Sequence, residues 1–123
     1  MTRILGISGS LRAGSFNTAL LRAAQHVAGD GIELDAATLH GIPLYDGDAE
    51  ARDGEPAAVA MLKRKILASD GVLLVTPEYN NGIPGVFKNA IDWLSRTSPA
   101  GDITEVFDNR PFALIGASPG GFG

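Results

Sequence analysis

The 123-residue sequence contains no cysteine. That absence removes disulfides, thiolate nucleophiles and zinc–thiolate sites together, and it fits a reducing compartment. Positive charge is also short: ten Lys and Arg against fourteen Asp and Glu leave a net charge of -4. A nucleic-acid or anionic-membrane binder normally carries a basic patch, so neither partner is expected and any bound anion must be gripped locally. No apolar run approaches the roughly 18 residues of a membrane helix. The apolar part of the opening "MTRILGISGS" is too short for a secretory signal. A soluble, cytoplasmic protein is the expectation, with no metal site.

What the chain does have is apolar content, 45% of its residues, enough to give residues 1–123 one core and to be read as a single domain. Arg3 to Ser8 is a short apolar run stopped by Gly9, the pattern of a buried strand. From Ser15 to Ala28 a helix is expected, with Phe16, Leu20, Ala23, Ala24 and Val27 at helical spacing, Ser15 or Asn17 as cap and Gly29 as stop. Ile32 to Ala36 alternates like a half-buried strand. "HGIPLYDGDAEARDGEP" then connects, long enough that part of it should line a site or a partner. Pro56 opens a second helix carrying Val59, Leu62, Ile66 and Leu67. "GVLLV", Gly71 to Val75, is a third strand, a helix begins near Pro84, and Phe112 to Ala117 is a fourth strand. Strands apolar on both faces and alternating with helices mark a parallel sheet covered on both sides. The fold class is therefore α/β, doubly wound, in three α/β/α layers.

In open sheets of this kind, ligands sit at the carboxyl ends of the strands. The loop "SGSLRAGSFN", Ser8 to Asn17, lies there. It offers free N–H groups at a helix N-terminus, the hydroxyls of Ser8, Ser10 and Ser15, the amide of Asn17 and the charge of Arg12, a donor set suited to a phosphate monoester. The glycine spacing does not make a dinucleotide fingerprint, since Gly6 and Gly9 are three apart and Gly14 comes next. Nor is it a Walker A loop, because Ser15 stands where the lysine belongs. A capped turn with an exposed arginine is the plainer alternative.

"TPEYNNGIPG", Thr76 to Gly85, leaves the third strand at the same sheet edge and should face the same ligand. Asn80, Asn81 and Gly82 permit left-handed turns whose N–H groups can point into a cleft, and Tyr79 suits a planar heterocycle. Ordinary turn chemistry and a packing aromatic are the bland readings. In the helix that follows, Val86, Phe87, Ala90, Ile91, Trp93 and Leu94 cover a wide apolar arc. Two explanations stand side by side: a subunit contact along the Val86–Trp93 edge, or a helix sunk deep in its own domain.

Together "GSLRAGSFN", "IPLYDGD", "DGVLLVTPEYNNGIPGVFKNAIDWLSR" and "ASPGG" resemble the NADPH-dependent FMN reductase family, in particular its quinone and chromate reductase members. The resemblance implies a flavodoxin-like sheet of order 2-1-3-4-5 with FMN at the point where the order reverses. It also implies oxidation of NADPH or NADH, reduction of quinones or similar small acceptors (chromate, azo compounds, free flavin), and a homodimer or homotetramer. By position, Ser10, Leu11, Arg12, Ser15, Phe16 and Asn17 would hold the FMN phosphate, with Arg12, Ser15 and Asn17 as side-chain ligands. Pro77, Glu78, Tyr79 and Asn80 would line the ribityl chain and ring, and Ser118 and Gly120 match a third flavin loop. The flavin carries the chemistry in such enzymes, so no catalytic side chain is named, and His26 and His40 are read as incidental. Family members continue past Gly123 through a helix, a strand and a helix that the chain is expected to lack. The rivals are a one-electron flavodoxin-like carrier docking a redox partner and a truncated domain without activity.

Overall fold

The computed structural model describes residues 1–97 and 106–121. In chain order the elements are β1 (Thr2–Ser8), α1 (Phe16–Val27), β2 (Ile32–Ala37), α2 (Gly47–Asp53), α3 (Ala57–Leu67), β3 (Gly71–Val75), α4 (Gly85–Leu94) and β4 (Phe112–Ile115). The four strands form one parallel sheet in the order β2-β1-β3-β4. From β1 the chain steps to one side for β2 and to the other for β3, so the order reverses at β1 and β3. A crevice opens there above the strand ends. The register pairs Ser8 with Val75 and Val75 with Ile115, which brings the ends of β1, β3 and β4 level.

Alternation along β1 sorts the layers. Leu5 and Ile7 face one side and join Leu62 and Ile66 of α3 and Phe87, Ala90 and Leu94 of α4 in the main core. Gly6 faces the other side, where a Cβ would run into the Leu21 side chain of α1. Helix α1 thus sits close on the sheet because residue 6 has no side chain. Its buried line runs through Asn17 and Leu21, rotated from the expected stripe, and Phe16 (53%) and Val27 (77%) are exposed.

Helix α2 falls inside the connection expected to be irregular. Asp46 starts it by accepting from the N–H groups of Asp48 and Ala49, and Asp48 and Glu50 place negative charge in its first turn. The loop ahead of it lies across α4. Trp93 Nε1 and Asn89 Nδ2 both donate to the Pro43 carbonyl, at 2.8 and 2.9 Å. Asn89 Oδ1 accepts from the Tyr45 N–H at 2.8 Å, and the Tyr45 and Trp93 rings meet edge to face at 4.9 Å.

Trp93 is therefore 2% exposed, and the expected Val86–Trp93 contact edge loses its tryptophan. The wide apolar arc is divided between the main core, which takes Phe87, Ala90 and Leu94 with Val86 and Ile91 packed against it, and the chain's own loop, which takes Trp93. Below it, Arg96 forks onto Glu50 while Tyr45 donates its hydroxyl to the same carboxylate. The Arg96 hydrogen bonds hold the Glu50 carboxyl below the usual carboxylate range. Burial first, and then the bond to Glu50, raises the Tyr45 phenol. Lys63, 4% exposed, is paired with Glu55 and donates to the Arg96 carbonyl.

The coverage of the sheet is uneven. β1 from Leu5 to Ser8 is buried and β3 is buried or half-buried, whereas Thr2 and Arg3 of β1 are exposed and in β4 Ala113 is exposed and Leu114 is 65% exposed. No helix among the described residues is long and apolar enough to cross a membrane.

Candidate cofactor site

Three loops leave the level strand ends. The first, after β1, is pinned at its base, where the Gly9 N–H donates to Val75 O at 2.8 Å. A Cβ on Gly9 would fall 2.6 Å from a Phe87 ring carbon and 2.7 Å from Thr76 Oγ1, so glycine permits the first two loops to touch. Ser8 does not serve as an anion donor. It is fully buried, with its hydroxyl 2.7 Å from Thr18 Oγ1.

Ser15 caps α1 by accepting from the Thr18 N–H at 3.2 Å. The N–H groups of Phe16 and Asn17 at the helix start have no acceptor among the described residues, as helix geometry dictates. Arg12 forms no ion pair among the described residues, and its guanidinium lies 5.5 Å from the centre of the Phe16 ring.

The second loop makes a tight hairpin tip. Tyr79 and Gly82 exchange both backbone hydrogen bonds, at 2.9 and 3.1 Å, around Asn80 and Asn81 with φ of 53° and 60°. Two consecutive positive φ values define a type I′ turn, which asparagine tolerates well. The Tyr79 and Gly82 N–H groups are consumed in this bridge instead of pointing into the cleft. Tyr79 is 51% exposed.

The third loop is tied to the first. Ala117 N–H donates to Asn17 Oδ1 at 3.0 Å, and Asn17 Nδ2 donates back to Ala117 O at 3.1 Å. One Nδ2 hydrogen remains for a ligand. Gly120 N–H folds onto Ser118 Oγ at 3.1 Å. At Gly116 a Cβ would lie 2.6 Å from Thr76 O, so the second and third loops also meet at a glycine.

Between the loops is a cleft of about 240 Å³ lined by Ser10, Arg12, Ser15, Phe16, Asn17, Pro77, Glu78, Tyr79 and Ser118. Nine of the twelve residues expected in the site are thus together. Ala117 and Pro119, which the sequence reading did not single out, complete the lining. Three expected residues stand outside it: the exposed Leu11, Asn80 on the hairpin tip, and Gly120, bonded within its own turn. Pro77 and Glu78 also border a second space of about 400 Å³ with Thr76, Ile83, Leu114 and Ile115. Phe122 and Gly123, from the closing "SPGGFG", lie outside the described residues.

This cleft brings together hydrogen-bond donors, a cation and the aromatic rings of Phe16 and Tyr79. Residues 2–123 match the family described as NADPH-dependent FMN reductase. The chain belongs to that family. It is 46% identical, over 98% of its own length and 62% of the relative's, to an NAD(P)H-dependent FMN reductase of Pseudomonas aeruginosa. It is 40% identical to a 2-hydroxy-1,4-benzoquinone reductase of a Burkholderia species, covering 98% of this chain and 63% of that one.

Among solved structures, the flavoenzyme NAD(P)H:(acceptor) oxidoreductase of Paracoccus denitrificans matches with a TM-score of 0.83 and 38% identity, over 98% of this chain and 63% of that one. The chain thus spans less than two thirds of the length of these relatives. The flavodoxin-like fold expected for this family member is the one observed.

Proposed function

We propose that residues 1–123 are one FMN-binding domain of an NAD(P)H-dependent oxidoreductase that reduces quinones or similar small acceptors. The observation that carries this reading is the convergence of three loops on one cleft, which Ser10, Arg12, Ser15 and Asn17 of the first loop and Tyr79 of the second line together. FMN fits that donor set. A phosphate monoester would take the N–H groups of Phe16 and Asn17 and the Arg12 guanidinium, which have no hydrogen-bond partner among the described residues, together with the hydroxyls of Ser10 and Ser15 and the spare Nδ2 hydrogen of Asn17. Pro77, Glu78, Tyr79 and Ser118 would border the ribityl chain and ring. The first space, about 240 Å³, is small for a cofactor pocket, but joined to the adjacent one of about 400 Å³ it comes within the usual range of roughly 300–1,000 Å³.

When bound, FMN supplies the transfer of electrons from NADPH or NADH to the acceptor. The chain's own residues hold and orient. Asn17 fixes the first loop against the third, the Tyr79–Gly82 hairpin fixes the position of the Tyr79 ring, and Arg12 neutralises phosphate. No side chain is assigned a proton transfer.

A cytoplasmic location and assembly as a homodimer or homotetramer are part of the proposal. On α4 any subunit contact falls to the half-buried Val86 end, because Trp93 is enclosed by its own chain. The test is anaerobic addition of NADPH or NADH to the FMN-loaded protein. Bleaching of the flavin absorbance, reversed by a quinone, supports an oxidoreductase. A bound flavin that neither nucleotide bleaches favours the electron-carrier alternative.

A further inference from the structure

We infer that His40 is a positioning residue for the phosphate loop, acting through the Leu11 carbonyl; the inference rests on the FMN reading of this cleft. His40 Nε2 lies 3.1 Å from Leu11 O, across 29 residues of sequence. A carbonyl oxygen only accepts, so Nε2 carries the hydrogen and donates it. The other bonds to residues 10–14 are local: Ser8 Oγ to Ser10 O at a long 3.5 Å, and Ser15 N–H to Arg12 O at 3.1 Å. Among the described residues, His40 is the one side chain from another element that is bonded to this stretch.

Its own backbone is well placed to act as an anchor. The preceding Leu39 is 2% exposed and part of the main core, and the following Gly41 has φ +81°, a left-handed turn that directs the chain away. The ring does not line the cleft, so it does not touch the ligand. What it restrains is the peptide between Ser10 and Arg12, two residues that do line it. Without the restraint these six residues between Gly9 and Phe16 would sample more conformations, and binding a phosphate would have to order them.

The test compares FMN with riboflavin, which is the same ring and ribityl chain without phosphate. Both affinities are measured by flavin fluorescence quenching for the full chain, His40→Ala and His40→Gln. The expected result is FMN binding weakened roughly three- to tenfold in His40→Ala, the scale of one hydrogen bond, with riboflavin binding unchanged. His40→Gln restores most of the loss, since its amide also donates. Equal weakening for both flavins would mean a general structural role and overturns the inference. So does an unchanged FMN affinity in His40→Ala when the parent chain binds FMN. A parent chain that binds neither flavin overturns the FMN reading itself, and this inference with it.

Discussion

Asn17 and Ala117, 100 residues apart, exchange two hydrogen bonds, Ala117 N–H to Asn17 Oδ1 at 3.0 Å and Asn17 Nδ2 to Ala117 O at 3.1 Å. The pair joins the first turn of α1 to the loop after β4, and no other side chain described here bridges those two loops. One amide thereby supports the architecture and keeps a hydrogen for a ligand. Asn17→Ala would leave both backbone groups of Ala117 without partners. A loss of about 2–3 kcal/mol is expected, read as a lower urea midpoint at unchanged slope. An unaltered midpoint would mean that water replaces the amide fully.

Arg12 has the opposite character, being exposed and without an ion pair among the described residues. Removing it should leave folding almost untouched, because its local contact is the face of Phe16. Arg12→Ala should weaken FMN by roughly 1.5–3 kcal/mol, the scale of a hydrogen bond to a charged group. Equal affinities for the parent and the variant, measured by fluorescence titration, would take Arg12 out of the site.

Gly6 separates close packing from ligand chemistry. A methyl group there meets Leu21 of α1, and overpacking costs typically 1–3 kcal/mol. Gly6→Ala should lower the melting temperature, and combining it with Leu21→Ala should recover part of the loss. Strict additivity of the two substitutions would show that they do not share the contact.

The Tyr45–Glu50–Arg96 cluster links stability to pH. Glu50 has a carboxyl pKa lowered chiefly by its hydrogen bonds from Arg96. Its contribution is therefore present above the ordinary carboxylate range and is lost as pH falls through the depressed folded-state value. Tyr45 has a raised pKa, so its contribution holds through neutral pH and fails only in strong alkali. Denaturation midpoints followed downward from neutral pH should fall less steeply in Glu50→Gln than in the parent. Parallel acid limbs would remove Glu50 from the acid response.

Much of this was legible in the chain itself. Apolar runs, the alternation in β2 and the 3.6-residue periods placed all four strands and three helices, and the two loops at one sheet edge, with Ser118 added by the family resemblance, supplied the nine expected residues that line one cleft. What escaped depends on contacts that no local pattern carries. Helix α2 hid in a Gly- and Asp-rich stretch, although Asp46 followed by Asp48 and Glu50 is a usable start signal. Whether Trp93 was an exposed contact edge or buried in its own domain stayed open in the sequence because the loop that covers it comes 50 residues earlier. Asn80 was correctly read as a left-handed turn former, but a two-residue hairpin turns its neighbours' N–H groups inward on each other. His40 had no local partner to reveal its bond to Leu11.

The most direct test of the central claim is a fluorescence titration of FMN with the purified chain, repeated with Arg12→Ala. A cofactor site built from these loops predicts saturable quenching at one FMN per chain, with the variant shifted to weaker binding. Absence of quenching by the folded parent chain, or saturation identical in parent and variant, would contradict the claim that these loops hold FMN by its phosphate.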